Sequence, residues 1–229
     1  MIVAQRKPLQ EILSWISEYN KVLTVGCGTC VSVCLAGGSK EVNTLNWELS
    51  SARSLQGNEL EVGAAMVERQ CDQEFLVDLD SMVEEYDAIL SMGCGVGVQF
   101  LAKRYPHKPV LPAVDTSGMS GNLDVGHYEE RCKGCGRCLL AYTAGICPVT
   151  MCSKGLLNGP CGGTNGDSCE VSSEQPCAWY LIYQRLYQQG RLENIINMQP
   201  PQQWYDQVPR RIVQPGYGYE ETEEQAEST

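Results

Sequence analysis

Cysteine is the residue type whose spacing could do chemistry here. Residues 131–177 read RCKGCGRCLLAYTAGICPVTMCSKGLLNGPCGGTNGDSCEVSSEQPC. Eight of the 13 cysteines fall in this stretch: Cys132, Cys135, Cys138, Cys147, Cys152, Cys161, Cys169 and Cys177. The first three form C-x2-C-x2-C, and Cys147 precedes a proline. One turn of backbone can aim three thiolates spaced this way at one iron–sulfur cubane, with a fourth arriving from elsewhere in the chain. A Cys before proline is a frequent fourth ligand in bacterial ferredoxins, where it serves the neighbouring cluster. Gly134, Gly136, Gly162 and Gly163 flank these cysteines. Small residues let backbone N–H groups approach sulfur, and such hydrogen bonds help to set a cluster's potential. Zinc is a competing reading, but zinc ribbons prefer two separate C-x2-C knuckles, and no paired His is present. Disulfides are a third; they suit an extracellular chain.

Cys27, Cys30 and Cys34 form a second constellation, C-x2-C-x3-C. Three thiolates in one loop suggest another cluster, whose fourth ligand is Cys94 or Cys71. Cys94 stands in a glycine-rich turn where a bulky cluster fits, and is preferred; Cys71 is then a spare thiol. A thioredoxin-like redox pair is the alternative for Cys27 and Cys30, and the immediate third cysteine argues against it. The spacing runs opposite to the C-x3-C-x2-C of radical enzymes that cleave S-adenosylmethionine. Residues 93–97 (GCGVG) match a dinucleotide loop only weakly. His107 and His127 read as surface residues. Ser153, Ser168 and Ser172 lack a nucleophile's context.

The elements that must position these thiols alternate in type. Leu9, Ile12, Leu13 and Ile16 make one apolar stripe, so residues 8–19 are predicted helical. Residues 21–25 read as a buried strand that runs straight into Cys27. Helical spacing follows to about residue 55. Strands are expected at 60–67, 88–92 and 109–114, and helices at 74–85 and 98–104. Such alternation argues a parallel, doubly wound sheet, in which functional groups gather at the carboxyl ends of strands. All five N-terminal cysteines fall just there. Residues 115–127, rich in Gly, Ser and Asn, read as a linker. A helix is expected from residue 176, with Gly190 closing it. Beyond residue 197, Pro, Gln and Gly are too frequent for regular structure; Trp204 and Tyr205 are expected to staple that segment to a surface.

Composition bounds the rest. The chain has 229 residues, 43% of them hydrophobic, enough for a real core. No run of 18 apolar residues is present, so no spanning helix is expected. The N-terminus lacks a signal peptide's apolar region, which points to the cytoplasm, where thiols favour metal over disulfides. A net charge of −11 argues against nucleic acid or anionic membrane as a partner. Part of that charge sits in Glu220, Glu221, Glu223, Glu224 and Glu227, read as a solvated tail.

Longer motifs carry a resemblance. CSKGLLNGPCGG (152–163), then CEV (169–171), then CAWYLIY (177–183) resemble the methylenetetrahydrofolate reductase C-terminal domain family. VGCGTCVSVCLAGG (25–38), ERQC (68–71) and GCGVGVQF (93–100) look like the N-terminal half of the same proteins. Within the family, the chain is most similar to the iron–sulfur small subunit of two-subunit methylenetetrahydrofolate reductases. That resemblance implies [4Fe–4S] clusters, with zinc as the other metal to consider. It also implies a flavin-containing (β/α)8 catalytic subunit as partner, and ferredoxin or another electron-donor subunit upstream. The fold class expected is α/β. A flavodoxin-like domain carrying one cluster spans residues 1–118, a ferredoxin-like Cys-rich module 119–197, and an extended acidic tail 198–229. Two to three clusters are expected. The eight C-terminal cysteines cannot be divided into two sets of four from sequence, beyond grouping Cys132, Cys135 and Cys138.

Overall fold

A computed structural model describes residues 1–202 and 212–217. Trp204, Tyr205 and the glutamates from residue 220 on lie outside the described residues. By its internal contacts the chain divides into two units: residues 1–133 with 149–155, and residues 134–148 with 156 onward.

The first unit runs β1 (Ile2–Arg6), α1 (Leu9–Trp15), β2 (Lys21–Cys27), α2 (Cys30–Val33), α3 (Ser39–Leu55) and β3 (Glu61–Val67). A 3-10 segment (Gln73–Leu79), α4 (Asp80–Val83), β4 (Ala88–Ser91), α5 (Gly95–Arg104), β5 (Val110–Pro112), β6 (Val114–Asp124) and β7 (His127–Cys132) follow. Four strands form a sheet in the order β3-β2-β4-β5, and every pairing in it is parallel. This matches the first four strands of the flavodoxin-like order.

Alternation along the central strands sends side chains to opposite faces. Val22 and Leu90 join Val42, Leu45 and Leu49 of α3 and Ile12 and Ile16 of the first helical segment on one side. Leu23, Val25 and Ile89 pack with Leu76, Val83 and Leu101 on the other. Both faces are covered, so β2 and β4 read as continuous apolar runs rather than alternating ones. Residues 74–85, expected as one helix, are instead a 3-10 segment and a single α-turn. Asp72 starts the segment by accepting the Glu74 N–H at 3.3 Å.

The linker expected over residues 115–127 is a correction. It is strand: β6 pairs antiparallel with β1 on one side and with β7 on the other. Its Gly, Ser and Asn content argues for a loop only if no neighbour supplies a ladder, and β1 and β7 supply one on each edge. Asp124 pairs with His127 across a two-residue turn, which Gly126 permits with φ +79°. β1 itself was not foreseen in sequence.

After α6 (Pro148–Met151), a single turn where the two units meet in sequence, the second unit's regular elements are α7 (Ala178–Gln188) and α8 (Glu193–Ile196). Ala178, Ile182 and Leu186 are buried at i, i+4 and i+8. Trp179 is buried beside them and donates its indole N–H to the Leu156 carbonyl at 2.9 Å. Gly190, with φ +66°, ends α7 as expected. Its N–H bonds the Tyr187 carbonyl and the Arg191 N–H bonds that of Leu186, the two bonds of a Schellman motif.

Candidate functional site

Parallel strands put their carboxyl ends at one edge of a sheet. In register, Cys27 stands opposite Val67, and Val25 stands opposite Ser91. The chain beyond each strand therefore leaves from the same edge: Gly28–Cys30 after β2, Glu68–Cys71 after β3, Met92–Cys94 after β4. The loop after β2 is folded back by backbone bonds, with Cys27 N–H donating to the Gly37 carbonyl at 3.0 Å and Gly28 N–H to Val67 at 2.9 Å. Cys30 opens α2, and Cys94 immediately precedes α5.

These loops enclose a cavity of about 130 Å³, with room for several waters. Cys27, Cys30, Cys71 and Cys94 all line it, with Ile2, Val31 and Val96 as apolar wall and Gln70 alongside. Thr29 Oγ1 lies 3.7 Å from Cys27 Sγ, whose thiol also points at the Glu68 carbonyl at 3.8 Å. Cys71 as a whole residue is exposed. Its thiol is nonetheless pushed above the ordinary value, first by burial, then by the proximity of Cys94 and Cys27 and, more weakly, Cys30.

Cys34 is not among the lining residues. It is buried behind the cavity against β1, where it accepts the Ala4 N–H at 3.4 Å and points back toward the Ala4 carbonyl at 3.7 Å. Burial raises its thiol pKa. The structure thus gathers Cys71 and Cys94 together with Cys27 and Cys30, where sequence spacing grouped Cys34 with Cys27 and Cys30 and set Cys71 aside. The signal that joins Cys71 and Cys94 is the one read from sequence for all five N-terminal cysteines, a position at the carboxyl ends of parallel strands.

The C-terminal cysteines are distributed over both units. Cys132, at the end of β7, and Cys152 belong to the first; Cys135, Cys138, Cys147, Cys161, Cys169 and Cys177 belong to the second. Within the second, Cys177 is buried and precedes α7, and its N–H donates to the Asp167 carbonyl at 2.7 Å. The Cys169 N–H donates to Gln175 at 2.8 Å. Cys161 Sγ donates to Glu170 Oε2 at 3.4 Å. The Cys135 carbonyl accepts the Gln202 carboxamide at 2.9 Å. Among the described residues no group of three or more His, Cys, Asp or Glu side chains is drawn close enough to hold a metal ion. His107 is exposed and bonds Glu84 at 2.8 Å, which holds that carboxyl below its usual range. Ser91, Gln70 and their hydrogen bonds were not foreseen in sequence, and nothing in the spacing of polar residues marks them.

Residues 111–205 match the family model described as methylene-tetrahydrofolate reductase C terminal. The matched segment is less than half of the chain. It covers β6, β7, α7 and all eight cysteines of the C-terminal run, and leaves the four-thiol cavity outside. No curated protein and no solved structure matches the chain.

Proposed function

We propose that the chain is the electron-transfer iron–sulfur subunit of a methylenetetrahydrofolate reductase complex. The observation that carries this reading is the cavity shared by Cys27, Cys30, Cys71 and Cys94, on a chain whose other eight grouped cysteines lie in a reductase C-terminal segment. The donor set fits an iron–sulfur cluster. A single tetrahedral zinc holds its sulfurs about 2.3 Å from one point, which requires convergence; a cubane takes four thiolates spread around its corners. The four thiols are spread around a cavity. Bound there, a [4Fe–4S] cluster would supply one-electron transfer.

The chain's own residues do the rest. Cys27, Cys30, Cys71 and Cys94 bind through their thiolates. Ile2, Val31 and Val96 keep water off one side, which raises the sensitivity of any potential to nearby hydrogen bonds. The eight cysteines from Cys132 to Cys177 hold one or two further clusters, for two to three in all. The partner is a flavin-containing catalytic subunit, because single electrons must be paired before a methylene group can be reduced. Ferredoxin or another donor subunit feeds the chain. The setting is the cytoplasm, where thiols stay reduced.

Anaerobic iron, sulfide and zinc analysis of the intact protein tests this. The expected result is about eight to twelve irons per chain with matching acid-labile sulfide. Stoichiometric zinc with fewer than about two irons would replace this reading with a structural zinc subunit that transfers nothing.

A further inference from the structure

We infer that Gln70 is a positioning residue of the four-thiol cavity, setting the distance between Cys71 and Cys94 through its buried carboxamide; this rests on the reading of those thiols as cluster ligands. The four thiols come from three separate loops, so their spacing depends on how the loops are held to one another. Backbone pairing fixes the strands but stops before Cys71 and Cys94.

Gln70 continues the connection. Its side chain is fully buried. Its Nε2 donates to the Val25 carbonyl at 2.8 Å, two residues before Cys27. Its Oε1 accepts the Ser91 hydroxyl at 2.6 Å. Ser91 Oγ in turn accepts the Gly93 N–H at 3.1 Å, one residue before Cys94. The chain of bonds thus runs from the Cys94 loop, through the neighbour of Cys71, to the strand that ends in Cys27. The Val25 carbonyl also takes the Met92 N–H at 2.8 Å, so both of its lone pairs are engaged in the same junction.

Packing enforces the same arrangement. A Cβ on Gly93 would lie 2.2 Å from Gln70 Oε1, and one on Gly97 would lie 2.7 Å from Gln70 Cβ. The backbone on both sides of Cys94 rests directly on this side chain. The position needs one donor and one acceptor at the end of a three-carbon reach. Glutamate loses the donor when ionised, and methionine has the length with neither group. A buried network of this kind specifies geometry because each member left unpaired carries a desolvation cost.

The test uses the full chain, purified anaerobically, as wild type, Cys94→Ser, Gln70→Met and Ser91→Ala. The spectroscopic component that wild type has and Cys94→Ser lacks defines the N-terminal cluster. Gln70→Met is expected to lose that component with about four irons, or to keep it with an altered paramagnetic spectrum and a moved reduction potential. Ser91→Ala is expected to move spectrum and potential in the same direction by less, with circular dichroism unchanged. Should Gln70→Met fail to fold, Ser91→Ala decides alone. Component, iron content and potential all unchanged in the folded variants would overturn the role of Gln70 while leaving the ligand reading intact. A Cys94→Ser protein with undiminished iron would overturn both.

Discussion

Cys71 lines the N-terminal cavity and Cys34 does not, and the reason lies in one turn of helix. α2 is only four residues long and stops at Cys34, after which Leu35 takes a left-handed φ of +58°. The N–H groups of Ala36 and Gly37 both return to the Val31 carbonyl. That reversal leaves the Cys34 thiol against β1, where it accepts the Ala4 N–H at 3.4 Å. Its environment is that of a small buried hydrophobe with a weak hydrogen bond. Cys34→Ala should therefore keep the wild-type iron content and cost about 1 kcal/mol, a fall in Tm of about 2–4 °C. Cys71→Ser and Cys94→Ser should each lose about four irons. Iron analysis on the three variants checks the assignment; loss of iron from Cys34→Ala with retention in Cys71→Ser would restore the grouping that spacing alone suggests. C-x2-C-x3-C was legible as a thiol-rich loop, but spacing cannot say which way the last thiol turns. That depends on where the helical turn breaks and on β1, whose partner strand lies more than a hundred residues away in sequence.

At the level of elements, the 3-10 segment and α5 cover one face of the parallel sheet and are tied to each other by Asp80. Its carboxylate accepts Arg104 Nε at 2.8 Å and the Tyr105 hydroxyl at 2.8 Å. The Arg104 guanidinium, then the Tyr105 hydroxyl, hold the Asp80 carboxyl below its ordinary 3.8. Burial first, then Asp80, pushes the Tyr105 phenol up to about 12. A carboxyl depressed on folding contributes stability that is present above its unfolded value and is lost as pH falls through the folded value. Asp80 is 47% exposed, so solvent screens the pair and the contribution is about 0.2–1 kcal/mol. Asp80→Asn should lower Tm by about 1–3 °C at pH 7. The gap to wild type should close as pH falls below 3.8. A gap that persisted unchanged at pH 2 would mean that packing, not charge, accounts for it. The parallel sheet was legible because β2 and β4 are buried on both faces and their apolar runs are bounded by turn residues. The antiparallel sheet was not, because β6 carries Gly118, Ser120, Gly121 and Asn122, which intrinsic preference assigns to loops. Its strand character comes from pairing on both edges, a tertiary effect that overrides local propensity.

For the whole molecule, the proposed cluster-holding role bounds what the chain can accomplish alone. Among the described residues no helix is long and apolar enough to cross a membrane, and the net charge of −11 disfavours polyanions as partners. Thiolate-held clusters move electrons one at a time, whereas reducing a methylene group takes a hydride equivalent, which a flavin can assemble from two arrivals. The chain should therefore not reduce methylenetetrahydrofolate by itself. It should bind a flavin-containing subunit and confer viologen- or ferredoxin-linked activity on it. The two subunits are to be purified anaerobically, assayed separately with reduced viologen, and then mixed. Activity that appears only on mixing, and that falls when Cys94→Ser replaces wild type, supports electron transfer through this chain. Full activity in the flavin subunit alone, unchanged on adding this chain, excludes that role. A stabilising effect on the partner's Tm without any change in rate would then identify the chain as a structural subunit.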